Sequence, residues 1–281
     1  MEIFRKKQAD GSLSHVELLY QLQQRKQMQF RANVAISWIF LLLILYVLFS
    51  GDSLGLGAIQ LDTDFIKENF TFIAQGVGDT LYISFLSIVL AIILALLAAL
   101  GRLSTFPPFY ALSTFYVSLM RGTPLYLQIF FFFLALPQII PWWAQVPGLW
   151  AGVLALGMNY GAYMSETFRA GISSVGKGQR EAAIALGMTN GQMMRRIVLP
   201  QALRFAIPPM GNDFIAMTKD SAMVAATGFV HELMWRATRV GRTNLRNLEA
   251  LIMAAFFYWI MTLILTAIQS RIEARLGKGD R

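Results

Sequence analysis

Residues 171–187 read GISSVGKGQREAAIALG, and they decide between two very different kinds of protein. Their first eight residues follow the phosphate-binding pattern G-x-x-x-x-G-K-[ST] up to its last position, where Gly178 replaces the hydroxyl that would hold Mg²⁺. A phosphate loop also follows a buried strand and opens an α/β domain, whereas this stretch lies in a short loop between apolar segments. We therefore do not expect the stretch to bind ATP.

The second half of the stretch belongs to a longer pattern, EAA-x3-G-x9-I-x-LP. Glu181-Ala182-Ala183, Gly187, Ile197 and Leu199-Pro200 match this pattern at every defined position. Residues 179–186 have room for about two helical turns, and Gly187 permits the left-handed conformation that ends a helix. The small alanines allow another protein to approach closely. The pattern therefore predicts a short helix that fits a socket on a partner protein.

Composition places this loop in an integral membrane protein. The 281 residues are 56% hydrophobic and only 14% charged, with a mean hydropathy of +0.52, whereas a soluble domain carries about 25% charged residues. Residues 32–50 are uncharged and would form about 28 Å of helix, enough to cross the hydrocarbon core. A cleaved signal peptide does not fit, because this run is too long and starts too far from Met1. Six apolar runs predict six transmembrane helices, at residues 32–50, 80–101, 109–136, 148–165, 205–229 and 250–269.

The basic residues indicate which ends of these helices face the cytoplasm. If residues 1–31, Arg102, residues 166–204 and the tail after residue 270 lie inside, the cytoplasm holds 17 of the 24 Lys and Arg. Five then lie outside, and two fall within spans. This bias follows the positive-inside rule and predicts that both termini are cytoplasmic.

One group of basic residues goes against this rule. Arg236, Arg239, Arg242 and Arg246 make up four of the five basic residues on the outer side. They indicate either an outer surface that meets an acidic partner or a solvated interfacial helix, and the sequence does not choose between the two.

The segment before the first span is predicted to be an amphipathic helix on the cytoplasmic membrane surface. Ser14-His15-Val16-Glu17 fits a capping box, and Leu13 and Leu18 are placed as a hydrophobic staple. Leu22 and Arg25 continue the amphipathic pattern.

Charged residues also occur inside the predicted spans, where they are costly and usually face a bundle interior or a cavity. Arg121 precedes Gly122-Thr123-Pro124, where the proline predicts a break or kink and Thr123 is placed to cap the next helix. A direct contact between Arg121 and a solute is the alternative. Glu166 and Arg169 lie three residues apart on one helix face and are expected to form a structural ion pair.

The fifth span carries the most polar stretch, PPMGNDFIAMTKDSAM at residues 208–223. Its prolines and glycine predict an irregular start, and Asp213 and Asp220 would share one face of a continuous helix. Such a stretch either lines a transport path or a subunit contact, or forms a structural cluster in which its polar groups pair with one another.

Other functions find little support in the sequence. The chain has no cysteine, and its two histidines, His15 and His231, lie far apart, so no metal site is expected. The basic residues form no stripe with aromatics, so no nucleic acid partner is expected. No catalytic motif is present, and we expect neither catalytic residues nor a cofactor. A self-contained secondary transporter or channel is the alternative, although no internal repeat supports it and it leaves the EAA loop unexplained.

The EAA-x3-G pattern with its distal I-x-LP resembles the permease subunits of bacterial binding-protein-dependent ABC importers. Five blocks look like the polar amino acid uptake branch of that family. They read RGTPLYLQIFFFFLALP, NYGAYMSETFRAGI, KGQREAA, LPQALRFAIPPMGND and TKDS, within about residues 70–270. The resemblance implies an all-α integral membrane protein with the type I importer fold, in which one extra N-terminal helix precedes a five-helix core.

The resemblance also implies how the chain is divided and what it binds. The expected divisions are a cytoplasmic segment 1–31, an extra helix 32–50, an extracytoplasmic loop 51–75, a transmembrane domain 76–270 with a cytoplasmic coupling loop 166–204, and a cytoplasmic tail 271–281. The coupling loop would dock on a dimer of ATP-binding subunits, which hydrolyse ATP in place of this chain. A second permease subunit, identical or related, would complete the pathway among the lipids of the bacterial inner membrane. A solute-binding protein would deliver the polar amino acid outside.

The expected site residues are the positions that match the family's motifs. Those expected to couple to the ATPase are Gln179, Glu181, Ala182, Ala183 and Gly187. Those expected along the substrate path are Arg121, Thr123, Gln128, Asn159, Tyr163, Asn212, Asp213, Lys219, Asp220 and Ser221. The block that usually resembles KDTSL reads Lys219-Asp220-Ser221-Ala222-Met223 here, a departure that leaves the identity of the amino acid open.

Overall fold

The computed structural model describes residues 15–49 and 61–276, and every regular element in these ranges is a helix. The chain divides into two compact units, Met1–Thr63 and Asp64–Arg281. The all-α fold predicted from the sequence is confirmed for the described residues. The helices are α1 (His15–Phe49), α2 (Thr63–Arg102), α3 (Pro107–Gly122), α4 (Leu125–Ile139), α5 (Gly148–Ser174), α6 (Lys177–Ala185), α7 (Asn190–Met193), α8 (Leu199–Asp220), α9 (Leu233–Thr243) and α10 (Asn247–Leu276).

The N-terminal helix is longer than the sequence predicted. α1 is one continuous helix of 35 residues, so the expected amphipathic segment and the first span form a single element. Its stretch Leu19–Ile44 is long and apolar enough to cross a membrane. The predicted capping box and staple at residues 13–18 lie outside the residues whose side chains the structure describes.

Two more helices of the described ranges are long and apolar enough to span a membrane, namely α2 and the stretch Asn247–Arg275 of α10. α2 begins at Thr63, so residues 63–75 of the expected extracytoplasmic loop are helical. Together α3 and α4 would make a fourth span, while α5 and α8 cover the two remaining predicted spans with more polar sequences. The number of six spans therefore stays a prediction.

The predicted break before Pro124 is confirmed, and it bends the chain by 108° between α3 and α4. Such a break leaves backbone carbonyls without their helical donors. Gln128 replaces those donors, because its Nε2 donates to the carbonyls of Met120 at 2.8 Å and Thr123 at 3.1 Å. Pro124, and not Thr123, takes the cap position of α4, whereas the Thr123 hydroxyl donates back to Leu119. The bend is thus held by one buried amide.

The irregular start expected for the fifth span is wrong, because α8 runs unbroken through Pro208 and Pro209. The missing backbone donors weaken this part of the helix, but α10 braces it. Gln269 of α10 donates from Nε2 to the Pro208 carbonyl and to Asn212 Oδ1, both at 3.1 Å. A Cβ at Gly211 would lie 2.9 Å from the Gln269 side chain, so glycine permits this close approach.

A buried carboxyl group joins α2, α9 and α10. Glu232 is fully buried and caps α9 by accepting from the Trp235 N–H at 2.7 Å. Its other oxygen accepts from the hydroxyls of Tyr258 at 2.8 Å and Thr80 at 3.4 Å. Burial raises the pKa of the Glu232 carboxyl above its usual value. This residue fixes α9 between the two long helices.

The short helix predicted in the loop after α5 is confirmed as α6, which begins two residues earlier than expected. It ends at Gly187, whose φ of +76° is the left-handed conformation predicted for this glycine. The Gly187 N–H donates to Ile184 at 2.9 Å and the Met188 N–H to Ala183 at 3.1 Å, the Schellman pattern of helix termination. Ala183 and Met188 then pack in one apolar cluster with Ile172 of α5, so α6 is firmly seated.

Removing the Glu232 carboxyl tests the junction of α2, α9 and α10. We expect Glu232→Ala to lower the free energy of unfolding by about 2–4 kcal/mol, because Thr80, Tyr258 and the start of α9 lose a buried acceptor. Glu232→Gln keeps a neutral acceptor and should retain most of the stability. The measurement is the thermal unfolding midpoint of the detergent-solubilised protein, with exposed Glu68→Ala as the control. Equal midpoints for Glu232→Ala and the control would contradict this role.

The left-handed conformation at Gly187 generates a second prediction. Gly187→Ala should cost about 1–2 kcal/mol, because a side chain disfavours positive φ, although the added Cβ would meet nothing within 4 Å. Amide hydrogen exchange across residues 183–188 should therefore become about 5–30 times faster. Gly191→Ala is the matched control, since its Cβ also meets nothing within 4 Å and its backbone is helical. Equal exchange rates in the two variants would show that the turn does not require glycine.

Candidate functional site

Three arginines from three helices converge on the carboxylate of Glu166 in α5. Arg102 at the end of α2 and Arg121 at the end of α3 donate to Oε1 at 2.5 and 2.9 Å. Arg169 donates to Oε2 at 2.9 Å, so the predicted Glu166–Arg169 ion pair is confirmed as one of three. These four residues are called the Glu166 cluster below. Arg121 shares Glu166 Oε1 with Arg102 of α2, and its expected place within a span stays a prediction.

α6 presents a mixed polar and apolar face outside the loop's own core. Gln179, Glu181 and Ala182, which the sequence indicated as coupling residues, are exposed. Two large apolar side chains accompany them, Ile184 at 59% and Leu186 at 77% exposure. The sequence analysis missed these two residues, although both stand between the EAA motif and Gly187. Exposed apolar groups that cluster on a polar loop are typical of a surface that another protein covers.

The remaining alanine of the motif has a different role from the one expected. Ala183 is 1% exposed and packs on Ile172, so it seats α6 instead of meeting a partner. Two hydrogen bonds add to this seat. Arg180 donates to the Ile172 carbonyl of α5, and Gln201 of α8 donates to Gln179. The inward face of α6 is therefore occupied by the protein itself.

A polar cavity of about 380 Å³ opens between α4, α5 and α8, next to the bend at Pro124. The expected path residues that line it are Thr123, Asn159, Tyr163, Asp213 and Asp220. The lining residues that the sequence analysis missed are Pro124, Leu125, Tyr160, Ala216 and Met223. Asp213 and Asp220 face the same cavity, as their spacing on one helix predicted. Tyr160 could have been found from its place beside Asn159 in the NYGAY block.

The structure does not bring the other expected path residues to this cavity. They are Arg121, Gln128, Asn212, Lys219 and Ser221. Gln128 holds the bend, and Asn212 is bonded to α10. Ser221 is fully buried, and its hydroxyl donates to the Thr218 carbonyl of α8. Lys219 is exposed. Arg121 belongs to the Glu166 cluster, but its guanidinium lies 5.3 Å from the ring centroid of Tyr163, which forms part of the cavity wall.

Two carboxylates give the cavity its charge, and its lining includes no basic residue. Asp220 accepts from the Tyr160 hydroxyl at 2.7 Å. Among the residues that the structure describes, no side chain donates to Asp213. The same described ranges contain no group of three or more side chains able to hold a metal ion. The cavity is therefore suited to an organic solute that carries positive charge.

A larger cavity of about 560 Å³ lies between α2 and α5. Its lining is almost entirely apolar and includes Phe85, Trp143 and Trp150. Such a lining lacks the convergent polar groups that orient a small solute. We therefore regard the smaller polar cavity as the candidate solute site.

The chain is similar to known transport proteins. The family model described as "Binding-protein-dependent transport system inner membrane component" matches residues 87–278. The arginine transport system permease protein ArtQ of Bacillus subtilis (strain 168) is 40% identical over 221 residues, which cover 79% of this chain and 100% of ArtQ. The L-cystine transport system permease protein TcyB of the same organism is 39% identical over 217 residues, which cover 76% of this chain and 91% of TcyB.

Solved structures share the fold. A crystal structure described as that of an amino acid ABC transporter with histidines matches with a TM-score of 0.70 at 34% identity, covering 77% of this chain and 100% of that chain. The MetNI methionine ABC transporter in an inward-facing conformation matches with a TM-score of 0.62 at 19% identity, covering 72% of this chain and 94% of that chain. The family match includes the bend at Pro124, the EAA loop and the polar cavity. The chain belongs to the family of binding-protein-dependent transport system inner membrane components, and it is a membrane-embedded permease subunit of an ABC importer.

Proposed function

We propose that this chain forms one transmembrane half of an ATP-driven importer for polar amino acids, and that α6 docks on the ATP-binding subunit. The observation that carries the proposal is the pair Ile184 and Leu186, which a firmly seated helix holds outside the protein's own core. Large side chains that are rigidly presented at a surface are typical of protein-binding sites. Permease subunits of this family carry no ATPase site, so the energy of ATP has to enter through such a contact.

α5 connects the docking helix with the polar cavity. Its middle carries Asn159, which lines the cavity, and the Glu166 cluster follows about two turns later. Only two residues separate the end of α5 at Ser174 from the start of α6 at Lys177, and Arg180 of α6 donates to the Ile172 carbonyl of α5. When nucleotide binding moves the ATP-binding subunits, α6 therefore moves α5 and one wall of the cavity with it.

The rest of the assembly follows from the topology. Residues 166–204 and both termini face the cytoplasm, which is the side that holds 17 of the 24 basic residues. A dimer of ATP-binding subunits docks there. A second permease subunit, identical or related, completes the pathway through the membrane, and a solute-binding protein delivers the amino acid on the opposite side.

The charge of the cavity indicates which polar amino acids fit best. Its lining contains Asp213 and Asp220 and no basic residue. A neutral amino acid brings one ammonium group and one carboxylate group, so it supplies no net positive charge to offset the two aspartates, and one half-buried carboxylate is left without a charged partner. A cationic side chain brings the second positive charge. The substrates are therefore amino acids with cationic side chains, a class that includes the arginine named for the relative ArtQ.

Leu186→Asp tests the docking contact. A charge placed in an apolar interface weakens binding, so less ATP-binding subunit should co-purify with the tagged permease. Uptake into proteoliposomes should fall at least tenfold, which corresponds to a loss of about 1.4 kcal/mol of binding free energy. Leu186→Met keeps an apolar side chain of similar volume and should stay close to wild type. If Leu186→Asp retained both the partner and the uptake, α6 would not be the docking site.

Asp213→Asn tests the solute site. The arginine concentration that gives half-maximal stimulation of ATPase activity should rise by about 10–100-fold, because a hydrogen bond to a charged group contributes about 1.5–3 kcal/mol. Stimulation by glutamine should change less, since glutamine has no cationic side chain. The control is Glu68→Gln, which lies exposed on α2. An arginine requirement equal to that of the control would contradict the assignment of Asp213 to the substrate.

A further inference from the structure

α9 is a firmly held helix whose apolar face is already covered. Leu233 and Ala237 are fully buried in a cluster with residues of α2 and α10, and Gly241 packs closely against the start of α10. Glu232 caps the helix and is bonded to both neighbours. A helix that lies on a lipid surface needs an apolar face for the acyl chains. α9 has no such face left, so its exposed side is available to a polar partner.

The four arginines on and after α9 divide into two pairs. Arg236 and Arg246 each form an ion pair with a carboxylate of their own chain, at 3.2 and 3.6 Å. Arg239 and Arg242 are exposed, and no carboxylate pairs with either of them in the described part of the chain. Their positive charge is therefore presented to the surroundings.

Arg239 and Arg242 line an open recess of about 690 Å³ between α9, α4 and the turn after α8, here called the outer arginine recess. Trp235, Thr238 and Thr243 line it as well, and the Arg239 guanidinium lies 5.9 Å from the Trp235 ring centroid. No acidic residue contributes to the lining. Tryptophan and arginine are the residues most enriched in the energetic centres of protein interfaces. The recess therefore has the composition of a site for an acidic protein surface.

α9 and α6 lie near opposite ends of α2. Arg236 of α9 bonds Asp79 of α2, whereas Arg102 at the end of α2 bonds Glu166 near the loop that carries α6. Along α2, Asp79 and Arg102 are about 35 Å apart at 1.5 Å per residue, which exceeds the roughly 30 Å of a hydrocarbon core. α9, which supplies Arg239 and Arg242, therefore lies near the opposite end of the membrane-spanning α2 from the Glu166 cluster and α6.

We propose that the outer arginine recess binds an acidic patch on the extracytoplasmic solute-binding protein. The inference rests on the proposed function, because that function places α6 on the cytoplasmic side. Two cations on the outer side without a carboxylate partner are an exception to the positive-inside rule. The chain itself provides carboxylates for Arg236 and Arg246, and an acidic protein would provide them for Arg239 and Arg242. A guanidinium donates two parallel hydrogen bonds to a carboxylate, so Arg239 and Arg242 set the orientation of the docked protein.

The test uses the complete complex of permease and ATP-binding subunits in proteoliposomes. ATPase activity is measured against the concentration of the amino-acid-loaded solute-binding protein that stimulates the wild-type complex. Arg239→Glu combined with Arg242→Glu should raise the half-maximal concentration at least tenfold, with unchanged activity in the absence of the binding protein. Added salt should raise the wild-type value much more than that of the double variant. Arg239→Lys with Arg242→Lys keeps the charge and should stay within about threefold of wild type.

Lys67→Glu is the matched control, because Lys67 is 76% exposed near the start of α2, at the same end of the bundle as Asp79. Its half-maximal concentration should equal that of wild type. If Lys67→Glu raised the half-maximal concentration as much as the double variant, the inference would be overturned. The effect would then depend on the net charge of this end of the bundle and not on the recess. An unchanged value in the double variant would overturn it as well.

Two further outcomes separate this inference from others. If the double variant differed from wild type only in vesicles containing phosphatidylglycerol, and not in pure phosphatidylcholine, the recess would bind lipid headgroups and the inference would fall. If the wild-type complex showed no stimulation by any loaded binding protein, the proposed function would fail together with the inference. A normal wild-type response with an unshifted double variant would remove the inference alone.

Discussion

The end of the bundle next to α6 depends on one carboxylate that three guanidinium groups share. Because Glu166 bonds Arg102, Arg121 and Arg169, the ends of α2 and α3 are tied to α5. Isolated surface ion pairs contribute little, whereas partly buried and multiply bonded charges hold geometry. Arg121 directly precedes the 108° bend. The tie to Glu166 therefore fixes one side of the bend and holds the wall of the polar cavity that follows it.

The bend also determines which polar groups remain available to a solute. Gln128 Nε2 satisfies the carbonyls that the break exposes, and Asn159 Nδ2 donates to Gln128 Oε1 at 3.0 Å. The hydrogen-bonding capacity of these two amides is thus used largely within the protein. The carboxylates of Asp213 and Asp220 are the charged groups that line the cavity, and they are the ones we propose to contact the solute. The sequence shows that Gln128 is a polar residue inside a predicted span. It does not show that the side-chain amide of Gln128 is already bonded to backbone carbonyls.

Sequence predicted structure well where a residue type has one dominant local use. The low content of charged residues predicted a membrane protein, Pro124 predicted the break between α3 and α4, and Gly187 predicted the end of α6. What failed depended on neighbours distant in the chain. α8 continues through Pro208 because Gln269 braces it from α10. Ala183 turns inward because α5 lies there, and periodicity alone does not say which face of a short helix is covered.

The separation of the two sites has a consequence for how such permeases diversify. The carboxylates of the candidate solute site lie on α8, while the side chains proposed to meet the ATP-binding subunit lie on or directly after α6, and α5 joins the two regions. Substitutions on the cavity side of α8 can thus alter the cargo without disturbing the fit of α6. One type of ATP-binding subunit can then serve permeases of different specificity, and a new specificity can evolve through a few changes in a single helix.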